Sequence, residues 1–256
     1  RAVAATLVAH DEALLPWLDG PPQTNEPGRS SSFVAGMLWL ARRLPARFEV
    51  LEIGSSAGLN LMLDRYRYEF PGVSVGPEDA PIRLAPEWRG PPPPAGSIAF
   101  ESMRGVDIAP VDLADPAQAA RLSAYIWHEH EVRFGRFERA ITMVRERPPA
   151  LERGDAADWI EARLAEPQRE GVTRLLVHSI VWQYLGEARQ ARIVAAMEEA
   201  GAQATAECPL AWLALEANRV DFKHELVARY WPGGGEPVML GRSHAHGAWL
   251  EWRGVG

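Results

Sequence analysis

The sequence predicts a single α/β domain built on a mostly parallel sheet, with helices on both faces and a closing antiparallel strand pair. Three observations carry that prediction. Residues 49–60, Glu-Val-Leu-Glu-Ile-Gly-Ser-Ser-Ala-Gly-Leu-Asn, run from a short apolar segment through small residues into leucines at helical spacing. Downstream, apolar runs and helical patterns alternate, as strands joined by helical crossovers do. Two strand-like runs, around 222–231 and 236–252, are joined by Gly233-Gly234-Gly235 with no helical pattern between them, which predicts an antiparallel pair.

Taken in order, residues 1–46 form an N-terminal helical segment, a candidate lid, and residues 47–256 the α/β domain. Val3, Leu7, Val8, Leu14 and Leu15 recur at helical spacing over 2–18. The turn-rich stretch Pro21 to Gly28 ends that helix. Ser30 to Ser32 can cap a second helix through Phe33, Met37, Leu38, Leu40 and Leu44, stopping near Pro45. A strand at 48–53 and a helix at 57–66 follow. Residues 67–96 read as an inserted hairpin and a proline-rich loop, because Pro91 to Pro94 cannot join a sheet interior. A strand at about 97–103 leads into Gly105-Val-Asp107-Ile-Ala-Pro110. Asp115 followed by Pro116 starts a helix, and helices fill 116–146. A short strand near 150–153 runs into Gly154-Asp155-Ala156, with Ala156 to Leu164 helical. Val172 to His178 is a buried strand. Helix 187–200 ends at Gly201, where a left-handed cap is expected, and a strand at 204–215 precedes the closing pair.

A chain of 256 residues can bury one large core. Its formal net charge of −7 argues against a general nucleic-acid binder, since phosphate contacts need a basic surface. A local basic patch stays open around Arg133, Arg136 and Arg139. The one cysteine, Cys208, excludes an internal disulfide framework and a multi-cysteine metal site. It reads as a small buried hydrophobe in a strand, and a reducing cytoplasm is the simplest compartment. No apolar run approaches the length of a membrane span and no signal-peptide pattern opens the chain. The first residue is Arg1, so a trimmed native N-terminus is expected.

The chemistry concentrates at the turn after the first strand. A strand entering a helix through Gly54-Ser55-Ser56-Ala57-Gly58 leaves backbone N–H groups free for an anionic or polar ligand. Glu52 stands at the carboxyl end of that strand, where ligands bind in open α/β sheets. Three readings compete. An S-adenosylmethionine loop, acid-x-Gly-x-Gly-x-Gly, is matched by Glu52, Gly54 and Gly58 but has Ser56 at the middle glycine. A dinucleotide fingerprint fails at its second glycine. Gly54-Ser55-Ser56-Ala57-Gly58 is also G-x-S-x-G, the nucleophile-elbow pattern, with His244 or His246 available to complete a triad. Against that elbow, only about 50 residues precede it, and no His-Gly-Gly-type oxyanion segment lies upstream.

Further motifs carry a family resemblance: Thr24-Asn-Glu-Pro-Gly-Arg29-Ser30, Glu52 to Asn60 with Asp64-Arg-Tyr66, and Arg104-Gly-Val-Asp107-Ile-Ala-Pro110. Gly154-Asp155-Ala156, His178-Ser179 and His246-Gly247 extend it almost to the C-terminus. With these the chain resembles a bacterial family of unknown function whose fold is similar to S-adenosylmethionine-dependent methyltransferases. The resemblance implies a three-layer Rossmann-like methyltransferase fold with S-adenosylmethionine as cofactor, but no established reaction. It implies that Gly54, Ser56 and Gly58 face the methionine part, with Glu52 beside them. Asp107 would hold the ribose hydroxyls, with Glu69 the alternative by sequence spacing, and Asp155 with Ala156 would meet the adenine. Where enzymes that methylate base amines carry Asn/Asp-Pro-Pro-aromatic, this chain has His178-Ser-Ile-Val-Trp182. A small-molecule acceptor is therefore expected. A serine hydrolase and a non-catalytic binding protein remain the alternatives.

Other residues are weighed against plainer roles. His178 could be a general base on an acceptor hydroxyl or a histidine satisfied by a backbone carbonyl. Asn25, Glu26, Arg29 and Ser30 could form a substrate-binding loop or a solvated turn, Arg29 being suited to a carboxylate or phosphate. Trp182 and His246 complete the candidate substrate contacts, although most of the ten tryptophans are expected in the core. His128 with His130 diverge on a helix and His244 with His246 align on a strand, yet no third ligand is evident and no metal is expected. The expected partner is a small molecule, without a membrane.

Overall fold

The computed structural model describes residues 2–17, 23–127 and 129–254. The chain opens with α1 (Ala2–Ala9), α2 (Asp11–Leu14) and a 3-10 turn, Leu15–Trp17. Val3, Leu7 and Val8 are exposed, so the apolar spacing that predicted a packed helix is not matched by a core face among the described residues. A second 3-10 turn, Pro27–Arg29, leads into α3 (Ser30–Leu40), all of whose residues are buried. A helix that is apolar nearly all round belongs inside a protein. It stops four residues before the expected Leu44, and the expected serine cap is absent: Ser30 is its first residue, and its N-cap, Arg29, makes no side-chain cap bond.

Next come β1 (Arg47–Ile53), a kinked 3-10 segment at Leu59–Arg65 in place of the expected helix, and β2 (Tyr66–Phe70), β3 (Val73–Val75), β4 (Ile82–Leu84) and β5 (Glu87–Arg89). The second half supplies β6 (Ala99–Asp107), α4 (Pro116–Ser123), α5 (Glu131–Glu146), β7 (Ala150–Arg153), α6 (Ala156–Leu164), β8 (Thr173–Ser179) and α7 (Gly186–Ala202). The chain closes with β9 (Leu210–Ala217), β10 (His224–Trp231), β11 (Val238–Ser243) and β12 (Trp249–Trp252). Asp115 caps α4 through the Ala117 N–H at 2.8 Å, with Pro116 next, as the sequence indicates.

The large sheet has nine strands in the order β5-β12-β11-β10-β9-β8-β1-β6-β7. Strands β7, β6, β1, β8 and β9 are mutually parallel, and β10 to β12 add an antiparallel meander instead of the expected pair. The insertion does more than form a hairpin. Strands β3, β2 and β4 make a separate small sheet, while β5 pairs in parallel with β12 at the edge of the large one. From β1 the chain moves outward to β6 and β7, then returns to place β8 on the other side. That reversal leaves a crevice at the carboxyl ends of β1 and β8, where ligands bind in open sheets.

Alternation along β1 serves two cores. Phe48 and Val50 pack with α3, α4, α5 and the small sheet, whereas Leu51 and Ile53 pack with α6 and α7. Toward the amino ends of the strands, buried Arg174 and half-buried Arg104 both reach Glu49, at 2.8 and 2.9 Å, and Arg104 also pairs with Glu166. Arg104 therefore supports the end of the sheet opposite the crevice. Gly201 lies inside α7 and makes no left-handed cap. A Cβ there would come within 2.6 Å of the Trp231 ring, so glycine is needed for close packing. Cys208 sits half-buried in the loop before β9. No helix among the described residues is long and apolar enough to cross a membrane.

Candidate functional site

Gly54, Ser56 and Gly58 all have positive φ, at 68°, 53° and 72°. Glycine reaches that region freely and serine does so at a cost. Such a turn gathers N–H groups, but here the protein itself occupies four of them. The Ser55 N–H bonds Val106 O, that of Ser56 bonds Asp107 Oδ2 at 2.8 Å, that of Gly58 bonds Ser55 O, and that of Leu59 bonds Asn25 Oδ1 at 2.9 Å. The expected open anion cradle is thus closed by two side chains. Asn25 thereby ties the 24–30 loop to the turn.

Glu52 is buried beneath the turn. Asn60 Nδ2 donates to its Oε1 at 2.8 Å, while Glu52 Oε2 and Asn60 Oδ1 have no partner. Burial first of all pushes the Glu52 carboxyl up to about 7, against the hydrogen bonds from Asn60 and Ser55. The folded protein therefore keeps a proton that the unfolded chain, near 4.5, has released. Stability falls as pH rises across that window, by roughly 3 kcal/mol at about 1.4 kcal/mol per unit. Urea unfolding between pH 5 and 8 should show this decline, and Glu52→Gln should flatten it. An unchanged slope in Glu52→Gln would assign the decline to other groups.

Asp107 ends β6 beside the turn. Its Oδ2 accepts from Ser56 and its Oδ1 from the Ala109 N–H at 2.8 Å. Glu69, the alternative, is exposed on the small sheet and paired with Arg83. Gly54, Asp107, Asp155, Ala156, Tyr184 and Arg189 help line a cavity of about 180 Å³ over the turn. Asp155 caps α6 through the Ala157 and Asp158 N–H groups and pairs with Arg189. Its carboxylate is already engaged. Val181 closes one side: a Cβ on Gly54 would lie 2.3 Å from its Cγ2. Ile180 before it has φ of 54°, rare for a β-branched residue.

His178 lies one residue from the end of β8. Its Nδ1 meets Glu216 Oε1 at 2.7 Å, and the same oxygen accepts from the Val181 and Trp182 N–H groups. That carboxylate oxygen is an acceptor, so Nδ1 carries a proton toward it. Nε2 is buried without a partner, and Trp182 stacks on the ring at 5.0 Å. Trp182 therefore covers the candidate base.

Residues 25–30 of the loop are buried. Glu26 Oε1 accepts from Gly28 N and Arg136 Nη1, and its Oε2 accepts from Arg133 Nε at 2.8 Å. Arg29 donates to Ala245 O and to Thr24 Oγ1. Burial pushes the Arg29 guanidinium down to about 10, with Glu26 holding it up. The Ser30 hydroxyl bonds Pro27 O and receives the Tyr68 hydroxyl, so Ser30 braces the loop from behind. Arg133, Arg136 and His246 line a second cavity of about 830 Å³ between this loop, α5 and the 244–248 turn. His246 has an unpartnered Nδ1, and burial, with Arg133 and Arg29, pushes it down to about 4.

Ser56 Oγ has no hydrogen-bond partner, so the serine–histidine contact of a triad is not formed. His128 lies outside the described residues. Among those described, no group of three or more His, Cys, Asp and Glu side chains could hold a metal ion. Sequence reasoning missed Glu216, Tyr184 and Arg189, because each reaches its cavity or partner through sheet pairing or a crossover that no local motif announces. It noted Arg133 and Arg136 as a basic patch but not their buried partner, more than 100 residues away.

No curated protein and no solved structure matches the chain. A family model matches residues 1–252, and the chain belongs to that family, described as an uncharacterized protein conserved in bacteria, DUF2332.

Proposed function

We propose that the protein binds S-adenosylmethionine at the small cavity over the Gly54–Gly58 turn and methylates a small-molecule acceptor, on a Rossmann-like methyltransferase fold. The observation that carries this reading is the convergence of three distant motifs on one cavity: Gly54 after β1, Asp107 after β6, and Asp155-Ala156 after β7. The groups present suit the ligand. Asp107 can accept from ribose hydroxyls, and Tyr184 and Leu185 offer apolar faces to a base. At about 180 Å³ the cavity is smaller than the ~300–1,000 Å³ of ordinary ligand sites. A complete ligand must displace Val181 from Gly54, and the strained Ile180 marks where that segment gives way.

When bound, the cofactor supplies an electrophilic methyl on a sulfonium. The chain supplies orientation and a desolvated site. His178, with its proton held on Nδ1 by Glu216, leaves Nε2 to take a proton from an acceptor hydroxyl once Trp182 moves aside.

Isothermal titration with S-adenosylhomocysteine tests the proposal. Saturable binding is expected, with a rise in melting temperature that corresponds to about 2.7 kcal/mol at 100 times Kd. Tyr184→Ala, at a half-exposed position, should weaken binding about tenfold, in line with base–aromatic stacking of ~1–3 kcal/mol. Ser56→Gly should leave binding intact. Gly58→Val is a poor probe, because its Cβ would meet the Pro149 ring at 2.7 Å and disturb the fold. No heat and no thermal shift at millimolar ligand would remove the proposal. The positive φ of Ser56 also suits a nucleophile elbow, so a fluorophosphonate probe belongs beside the titration. Stoichiometric labelling at Ser56, lost in Ser56→Ala, would favour the hydrolase instead.

A further inference from the structure

The larger cavity holds features that the turn and its small cavity do not need. On one side Arg133 and Arg136 face it from the first turns of α5, both held by the buried Glu26. With Arg29 next to them, these guanidiniums outnumber the one carboxylate, so the cluster is net positive. Glu26 uses only Nε of Arg133 and Nη1 of Arg136, so each retains donors turned away from it. His244 adds a neutral donor. Its Nδ1 accepts from the His246 N–H at 3.1 Å, which puts the ring proton on Nε2. Ser31, also on the lining, is fully buried with an unpartnered hydroxyl. The lining also includes the apolar side chains of Leu84, Pro86, Tyr125, Trp127 and Val132.

We infer that this cavity binds an organic monocarboxylate with an aromatic or aliphatic body, its carboxylate on Arg133 and Arg136 and its body against Tyr125 and Trp127. Guanidinium donors match carboxylate geometry. The volume, about 830 Å³, lies in the range of small-molecule sites. The inference does not rest on methyl transfer. If that reading holds, the carboxylate compound becomes the candidate acceptor.

The test uses 2-naphthoate and its neutral counterpart 2-naphthamide, titrated calorimetrically into the full chain. Naphthoate should bind at least tenfold more tightly than the amide and weaken with added salt. Arg133→Gln should cost naphthoate about tenfold and leave the amide unchanged. Trp127→Ala, at an exposed position outside the ion cluster, should weaken both and keeps the test valid if Arg133→Gln unfolds. Equal affinity for acid and amide would overturn the inference. So would absence of naphthoate binding at millimolar concentration, or naphthoate binding undiminished in Trp127→Ala. S-adenosylhomocysteine titrated into the same sample reports on the small cavity separately, so the two proposals fail independently.

Discussion

Replacing Glu26 with alanine should cost the fold about 3–5 kcal/mol, the loss typical of breaking a buried ion pair from one side. The carboxylate is 3% exposed and accepts from Gly28 N, Arg133 Nε and Arg136 Nη1. Its removal leaves those donors without an acceptor and sets three neighbouring guanidiniums, Arg29 among them, against one another. Arg29 already loses affinity for its proton through burial and through Arg133, and Glu26 opposes both. At 2–4 °C per kcal/mol for a chain of this size, melting should fall by about 10 °C. Glu26→Gln, which keeps one acceptor oxygen, should lose less. Chemical denaturation with both variants gives the comparison. A loss below about 1 kcal/mol for Glu26→Ala would mean that water already shares the cluster.

Asp107→Ala should cost about 3 kcal/mol, the lower bound for two charge-assisted hydrogen bonds at ~1.5 kcal/mol each. It strips the acceptor from the Ser56 and Ala109 N–H groups and frees a turn that holds three positive φ values. Glu69→Ala, at an exposed ion pair with Arg83, should change stability by less than about 1 kcal/mol. Paired thermal melts decide between them. The same variants separate support from recognition: if Asp107 also meets the ribose, S-adenosylhomocysteine affinity should fall by tenfold or more in Asp107→Ala and stay level in Glu69→Ala. Comparable stability losses at the two positions would contradict the geometry described.

Much of the sheet was legible because strands and turns declare themselves locally. The apolar run at 50–53 followed by small residues, the Asp115-Pro116 start and the Ala156–Leu164 helix all rest on neighbouring residues, and each matches the fold. The misreadings share another cause. Val3, Leu7 and Val8 have helical spacing, but spacing cannot show whether a core lies opposite. Gly201 stands near a helix end, yet it is glycine because the Trp231 ring lies against it. In the candidate site the split is similar. Gly54, Asp107 and Asp155 sit in readable motifs, and sheet order brings them together. What those groups bond to was not readable. The capping of the turn by Asn25 and Asp107 spans 34 and 51 residues, and the embrace of Glu26 by Arg133 and Arg136 spans 107 and 110.

The segment 244–249 fastens parts of the molecule made far earlier in the chain. Ala245 O receives Arg29 across 216 residues, Ala248 O receives the Glu87 N–H, and Trp249 stands opposite Glu87 in the β5–β12 ladder. Contacts of such sequence separation carry the largest loop-closure entropy. The turn at Gly54 draws on nearer partners, Asn25 at 34 residues from Leu59 and Asp107 at 51 from Ser56. The two cavities therefore depend on different stretches of the chain. The small one is lined by residues 54–189, while the arginine-lined one is complete only with residues 244–248 in place.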